Sequence, residues 1–451
     1  MRSISIVALL LYALTSHAAA AAIGSQEQTG TASGQQERIV TKAEVRETTH
    51  PAASWPLRVV FYPFHLVNAG MESGLIKFEK HNMRERLDYW TETLRQHGIS
   101  AMIGGLGEGT GIGLGGTYTM LTGGHSDLRF LGRGSFTKGY QEYDIRWTMS
   151  NECRTLGSPM PVSKFNFILE TSYQWRPEEN FYGLGMESTE DVRTKFALRQ
   201  TWGGLRFEFA PRKRLLFGGE YKLVWLSNMA SPNTLYTPPD VQFPGLPGFG
   251  TYLRLESAGA YINADGVRSE YGLGGMLHAG ASVQYGLGNS HLKYFSYEGR
   301  LEGRLPVAKE RSVLVAQGAF ELNRPRGGSE PIPFYLLPHI GGSSTLRGFA
   351  LDRFYGKNIV FASLEYRYRL HPEFQMFIFF DEGQMFDQTS DLTWLNWKRN
   401  YGLGIKMLSK VGSLFRLDFG WSDEGFLWHI IWGERELRPL GGPIRYGTYR
   451  R

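Results

Sequence analysis

From Ile99 to about Trp432 the side chains change polarity with a period of two, and that single pattern excludes most folds open to a chain of 451 residues. Successive residues of a β-strand point to opposite faces. In residues 142–149, Tyr143, Ile145, Trp147 and Met149 share one face while Glu142, Asp144, Arg146 and Thr148 share the other. Leu364, Tyr366, Tyr368 and Leu370 alternate with Glu365, Arg367 and Arg369, and Phe415, Leu417, Phe419 and Trp421 alternate with Arg416 and Asp418. Ser296, Glu298, Arg300, Glu302 and Arg304 lie opposite Tyr297 and Leu301. A soluble β-protein of the periplasm also alternates, but it rarely needs so many aromatics on its surface. With 14 % aromatics, 56 glycines and a hydrophobic fraction of only 42 %, the composition suits an apolar outer band, aromatic girdles, a polar lumen and tight turns. The expected fold is all-β, a closed antiparallel transmembrane β-barrel.

The alternating segments begin near residues 99, 110, 125, 138, 161, 192, 213, 251, 270, 291, 311, 358, 374, 398, 412 and 424. That makes about sixteen strands, an even number that puts both termini on the periplasmic side. Short links at 371–373 and 409–412 are then periplasmic turns. The long links at 228–250 and 323–357 fall on the other parity, outside the cell or folded into the lumen.

The N-terminus gives the compartment. Arg2, an apolar run over residues 4–14 and then Ser16-His17-Ala18 before a string of alanines form a secretory signal, expected over 1–22, with a retained anchor as the alternative. Its apolar core of about a dozen residues is too short to cross roughly 30 Å of hydrocarbon as a helix. The single cysteine, Cys153, rules out a disulfide framework and lies far from a lipoprotein position. Residues 23–55 carry almost no large apolar side chain and read as a disordered periplasmic lead. Residues 56–98 have helical spacing up to His97-Gly98 and read as a short plug or collar, ahead of a barrel at 99–433 and a basic tail at 434–451. A formal charge of +6 spread along the chain gives no reason to expect a nucleic-acid partner.

The link before the twelfth strand contains Gly341-Gly342-Ser343-Ser344-Thr345-Leu346-Arg347-Gly348-Phe349. Glycines permit close backbone approach, and the guanidinium carries five donors that need acceptors. Two lumen acids are available: Glu365, by its alternation, and Asp381, which interrupts the apolar run Phe377-Ile378-Phe379-Phe380 and is costly unless it faces inward toward a cation. The competing reading is an ordinary loop arginine and two acids paired with other arginines of the wall.

Arg347-Gly348-Phe349 resembles the arginine-glycine-aromatic signature of the long sixth extracellular loop in the BamA/TamA insertase superfamily, the bacterial surface antigen barrels. Phe379-Phe380-Asp381-Glu382-Gly383 resembles that family's strand motif of aromatic, acid and glycine, and Phe181-Tyr182-Gly183-Leu184-Gly185 a turn common in such barrels. The resemblance is firmest over residues 338–433. It implies that the loop folds into the barrel, with Arg347, Gly348 and Phe349 as its anchor and with Asp381 and, by a weaker match, Glu365 as the lumen-wall acids. It also implies work in the assembly of outer-membrane proteins, with outer-membrane lipid, unfolded clients or a periplasmic partner as company. Family members usually carry POTRA domains, and residues 23–98 are too polar in their first half to make a complete one.

Two further features bear on mechanism. Gly104, Gly105, Gly107, Gly109, Gly111, Gly113, Gly115 and Gly116 crowd the first strands, where the last strand, with Phe426, Trp428 and Ile430, must close. Such a density either weakens the seam at which the family is thought to open or permits sharp curvature and close contact. Gly111-Ile112-Gly113-Leu114-Gly115-Gly116 also fits a nucleotide-binding spacing, but a strand follows where that motif requires a helix. The tail reads as a solvated periplasmic extension, with contact to anionic lipid or a partner as the alternative. No histidine pairing, nucleophile elbow or phosphate loop stands out, so neither an enzyme, a cofactor nor a metal site is expected. The rival functions are a pore for small solutes and a surface-interaction barrel.

Overall fold

A strand whose two faces differ in polarity needs a different medium on each side, and joining such strands edge to edge supplies both. The computed structural model describes residues 93–432 and Leu440, apart from 107, 154–155, 157–162, 267–268, 309–310, 372–373, 394 and 410–411. The expected signal, lead and most of the helical segment lie outside the described residues, as does the tail apart from Leu440. The chain divides into two compact units, residues 15–96 and residues 1–14 with 97–451. Of the first, only residues 93–96 are described, and they form one helical turn.

The second unit is a sheet. Its strands are β1 (Ile99–Gly105), β2 (Ile112–Gly123), β3 (Ser126–Ser135), β4 (Gln141–Ser150), β5 (Phe165–Phe181), β6 (Thr194–Arg212), β7 (Leu215–Ala230), β8 (Tyr252–Asp265) and β9 (Gly274–Gly286). There follow β10 (Lys293–Ala308), β11 (Ser312–Pro325), β12 (His339–Ile340), β13 (Phe354–Tyr355), β14 (Asn358–His371), β15 (Phe374–Phe386), β16 (Lys398–Ser409), β17 (Gly412–Ser422) and β18 (Gly425–Trp432). The two shortest, β12 and β13, pair only with each other inside the long β11–β14 link. The other sixteen form one antiparallel sheet in strict sequence order. The largest departures from the expected starts are at β5, expected near 161 and beginning at Phe165, and β9, expected near 270 and beginning at Gly274.

Register fixes the faces. Outward residues such as Ile378, Tyr401 and Trp428 are 61 %, 64 % and 59 % exposed, as a lipid-facing band must be in the absence of lipid, whereas Arg416, Asp381 and Asp418 on the inner face are fully buried. No helix among the described residues is long and apolar enough to cross a membrane. Even strand number puts the start of β1 and the finish of β18 at one end, the terminal end. The long β7–β8 and β11–β14 links open at the opposite, loop end.

Those links fold inward. Phe334, Tyr335, Leu336 and Tyr355 from the β11–β14 link pack with Phe181, Phe196, Leu226 and Leu255 of the inner wall, and Phe243 of the β7–β8 link packs on that group. A second cluster joins Ile340, Leu346, Phe349 and Phe354 to Ile359, Phe361 and Met385 of the wall. Leu440 belongs to it as well, and its carbonyl accepts a hydrogen bond from His339 N at 2.8 Å.

The sheet's two edges, β1 and β18, come within 8 Å of each other, Cα to Cα, yet among the described residues no backbone ladder joins them. The crowded glycines separate by cause. Gly109 and Gly111 lie in the β1–β2 turn with φ of 77° and 82°, conformations that favour glycine, while a Cβ on Gly113 or Gly115 would overlap β3. Gly104, φ 127°, has open space where a Cβ would stand, and Gly107 lies outside the described residues. Phe426, Trp428 and Ile430 point to the lipid side, at 49–59 % exposure. An edge without a ladder partner opens more readily than an interior strand. Amide hydrogen exchange in detergent or bilayer should therefore show β1 and β18 losing protection about tenfold or more faster than β5 and β6; equal protection would contradict the open edge.

Candidate functional site

The site forms on the inner wall of β14–β18, because register stacks alternate residues of these neighbouring strands into rows. One row runs Ser363, Asp381, Asn400; the next Glu365, Phe379, Gly402, Gly420; the next Arg367, Phe377, Gly404, Asp418, His429. The glycines leave vacancies in this lattice. The Phe379 ring lies where a Cβ of Gly402 would be, and the Phe377 ring where a Cβ of Gly404 would be. Gly420 leaves room for the loop itself: a Cβ there would lie 2.7 Å from the Arg347 carbonyl oxygen and 2.9 Å from Gly348 N. Gly348 answers from the other side, since a Cβ on it would lie 2.6 Å from the Asn400 Cβ.

The loop tip turns so that its apolar and charged residues part company. Gly341 and Gly342 take φ of 126° and 90°, Gly342 N donates to Phe349 O at 3.1 Å, and Leu346 and Phe349 enter the apolar cluster. Arg347 is left facing the wall, fully buried. Its Nε donates to Asp381 Oδ2 at 2.9 Å and its Nη2 to Asp381 Oδ1 at 2.7 Å, a two-point pairing that a lysine cannot reproduce. Its Nη1 donates to Glu365 Oε2 at 2.8 Å, and the guanidinium carbon stands 3.4 Å above the centre of the Phe379 ring. Asp381 is further held by Ser363 Oγ at 2.6 Å and Asn400 Nδ2 at 2.9 Å.

Arg347 is one of three arginines sharing these acids. Arg416 spans Glu365 and Asp418, with Nη2 2.8 Å from Glu365 Oε2 and Nε 2.6 Å from Asp418 Oδ1, and it stacks on Phe377 at 3.9 Å. Arg367 Nε donates to Glu365 Oε1 at 2.6 Å. The wall therefore balances three buried cations against Glu365, Asp381 and Asp418, which makes burial tolerable only while every member stays. The arrangement is suited to fixing a loop.

The structure brings Arg347, Gly348, Glu365 and Asp381 together, while Phe349 faces the apolar cluster. The sequence reading did not assign Arg416, Asp418, Ser363, Asn400 or Gly420 to the site. Strand alternation had put Arg416 and Asp418 on the inner face, and only the register across β14–β17 reveals that they meet Glu365. A second buried loop arginine also went unrecognised. Arg353 pairs with Glu424 of the β17–β18 turn through Nε at 2.9 Å and Nη2 at 2.7 Å, and with Ser188 of the β5–β6 link. Ser422 Oγ donates to Gly348 O at 2.7 Å and His429 Nε2 to Arg347 O at 2.8 Å, so the loop is bound to the final hairpin. The candidate edge glycines and Phe426, Trp428 and Ile430 do not enter this cluster. Among the described residues no group of histidine, cysteine or acids is placed to hold a metal ion.

Removing Arg347 leaves Asp381 and Glu365 with excess negative charge in a dry wall. Arg347→Ala should cost about 3–5 kcal/mol, the range for breaking a buried pair. It should also expose residues 341–353 to protease in folded protein, with Arg347→Lys a poor replacement. Unchanged unfolding and unchanged proteolysis would remove the loop's dependence on this pair.

Residues 266–425 match the Omp85 superfamily domain, a span that includes Arg347, Glu365, Asp381 and Arg416. BamA from Haemophilus ducreyi, in a form lacking POTRA domains 1–3, has a similar fold, with a TM-score of 0.52 at 16 % identity over 75 % of this chain and 69 % of that one. CdiB from Escherichia coli gives 0.46 at 14 % identity over 74 % and 61 %, and CdiB from Acinetobacter baumannii 0.41 at 12 % over 74 % and 58 %, so the chain spans less than two thirds of either CdiB. No curated protein matches the chain. With the sixteen-stranded sheet, its outward apolar band and the matched segment taken together, the chain is an outer-membrane β-barrel whose residues 266–425 match the Omp85 superfamily domain.

Proposed function

We propose that this barrel assists the assembly of other outer-membrane proteins, with the junction of β1 and β18 as the place where an incoming strand pairs. The observation that carries the reading is the pair of edges that lie side by side with no shared ladder among the described residues. Within hydrocarbon, backbone groups at such an edge have no water to turn to, so a strand arriving there gains hydrogen bonds at little competing cost. In this reading the terminal end faces the periplasm, the loop end faces outward and the exposed band meets outer-membrane lipid. Client capture falls to a separate periplasmic partner or to residues 23–98.

Arg347, with Gly348 and Phe349, serves here as the anchor of the long loop. Its acids hold the tip against β14–β17, while Arg353 with Glu424 and His429 with the Arg347 carbonyl tie the same loop to the hairpin that ends in the β18 edge. Ser343 Oγ also donates to Glu108 Oε1 of the β1–β2 turn at 2.8 Å, so the same loop fastens both sides of the junction at the loop end. Nothing comparable favours a wide solute pore, because the inner space at the loop end is occupied by two apolar clusters from the inserted links.

Photo-crosslinking groups at Ala101 in β1 and Ile430 in β18, activated in membranes during outer-membrane biogenesis, should trap unfolded outer-membrane proteins. The same group at the mid-sheet residue Ile378 should trap none. An absence of adducts at both edges, together with large steady openings in planar bilayers, would contradict assembly and support a pore.

A further inference from the structure

The alternation places a strand start near residue 270, yet Glu270 and Tyr271 lie in the β8–β9 turn at the terminal end, ahead of β9, and run along the inner wall. Tyr271 is 7 % exposed and packs with Val313 and Val315 of β11. Its hydroxyl accepts from Gln375 Nε2 of β15, and the Arg369 guanidinium of β14 stands 4.2 Å from its ring centre. Glu270 reaches further. Its Oε1 is 2.7 Å from Lys406 Nζ on β16 and 3.8 Å from Arg367 Nη1 on β14. From β9 to β16 is five strand steps, roughly 24 Å around the wall at about 4.8 Å per strand, so these contacts demand an inserted turn.

Arg367 is the same residue that donates to Glu365, and Glu365 is held by Arg347 of the long loop. Two segments entering from opposite ends of the barrel thus meet on one charge network. Its cations are Arg347, Arg367, Arg416 and Lys406; its acids are Glu365, Asp381, Asp418 and Glu270. Removing the charge of Glu270 leaves this set with one excess positive charge, and Arg369 beside Tyr271 adds to the imbalance. Arg367, Arg416 and Lys406 are fixed on ladder-bonded strands. Arg347 is carried by a loop, so the excess is relieved at least conformational cost by its departure.

We propose that the β8–β9 turn is an inner strap, whose Glu270 keeps the long loop's Arg347 in place through Arg367 and Glu365. An event at the terminal end that lifts the strap then loosens the loop at the other end. This inference stands apart from the assembly reading and holds equally for a barrel of another function.

The full-length protein in detergent or vesicles, with heat-modifiable migration confirming a folded barrel, tests it by limited proteolysis of residues 341–353. Glu270→Gln should raise cleavage there about fivefold or more, the lower range of usual coupling between sites. In an Arg367→Met background the same change should add nothing. Unaltered loop cleavage in folded Glu270→Gln protein overturns the proposal, as does a full additional effect in the Arg367→Met background. Should Glu270→Gln not fold, Tyr271→Cys with Gln375→Cys in a Cys153→Ser chain fixes the strap by a disulfide. Oxidation should then slow loop cleavage and reduction restore it, and cleavage indifferent to oxidation overturns the proposal.

Discussion

A fully buried guanidinium on a loop is the constraint around which this barrel is organised. Arg347 has left water entirely, which is tolerable only if acceptors surround it and its charge is balanced. Asp381 and Glu365 supply the acceptors, and Arg416 and Asp418 complete a set in which no single member can be lost cheaply. The aromatic rings of Phe377 and Phe379 make the floor on which two guanidiniums rest, and Gly402 and Gly404 make room for those rings. Each element of the patch is thus explained by its neighbour across the ladder.

That dependence explains what could be read in the sequence. Alternation alone sufficed for the strand count and for the faces of Glu365, Arg416 and Asp418, because a period of two is a property of single strands. Asp381 was conspicuous because an acid directly after the apolar run Phe377–Phe380 has no inexpensive place except an inward one. The meeting of Arg416 with Glu365 depends on register between strands far apart in sequence, and no local pattern encodes it. Gly420 gave no sign either, since its purpose is the backbone of a loop more than seventy positions earlier. The inward course of Glu270 and Tyr271 was read instead as the beginning of β9, whose first paired residue is Gly274. Their sequence is compatible with strand, and only partners on β11, β14, β15 and β16 distinguish the two.

The same sheet that is over-determined at β14–β17 is under-determined where β1 meets β18. On one side, ladders, ion pairs and stacked rings reinforce each other; on the other, two edges lie together with no ladder among the described residues. Bonds from the long loop to Ser422, Glu424 and His429 connect the stiff region with the hairpin beside the loose one. Ladder support among the described residues is therefore least at one junction, the place at which the proposed function has an incoming strand pair.

The account rests most directly on the interaction between Arg347 and Asp381 inside the folded barrel. A double-mutant cycle with Arg347→Met, Asp381→Asn and the double variant, followed by reversible urea unfolding in lipid vesicles, measures that interaction free of the individual losses. A favourable coupling above about 1 kcal/mol is predicted, since each single change strands the other charge in the wall. A coupling within about 0.3 kcal/mol of zero would mean that the loop does not rest on this pair in the membrane, and would contradict the account.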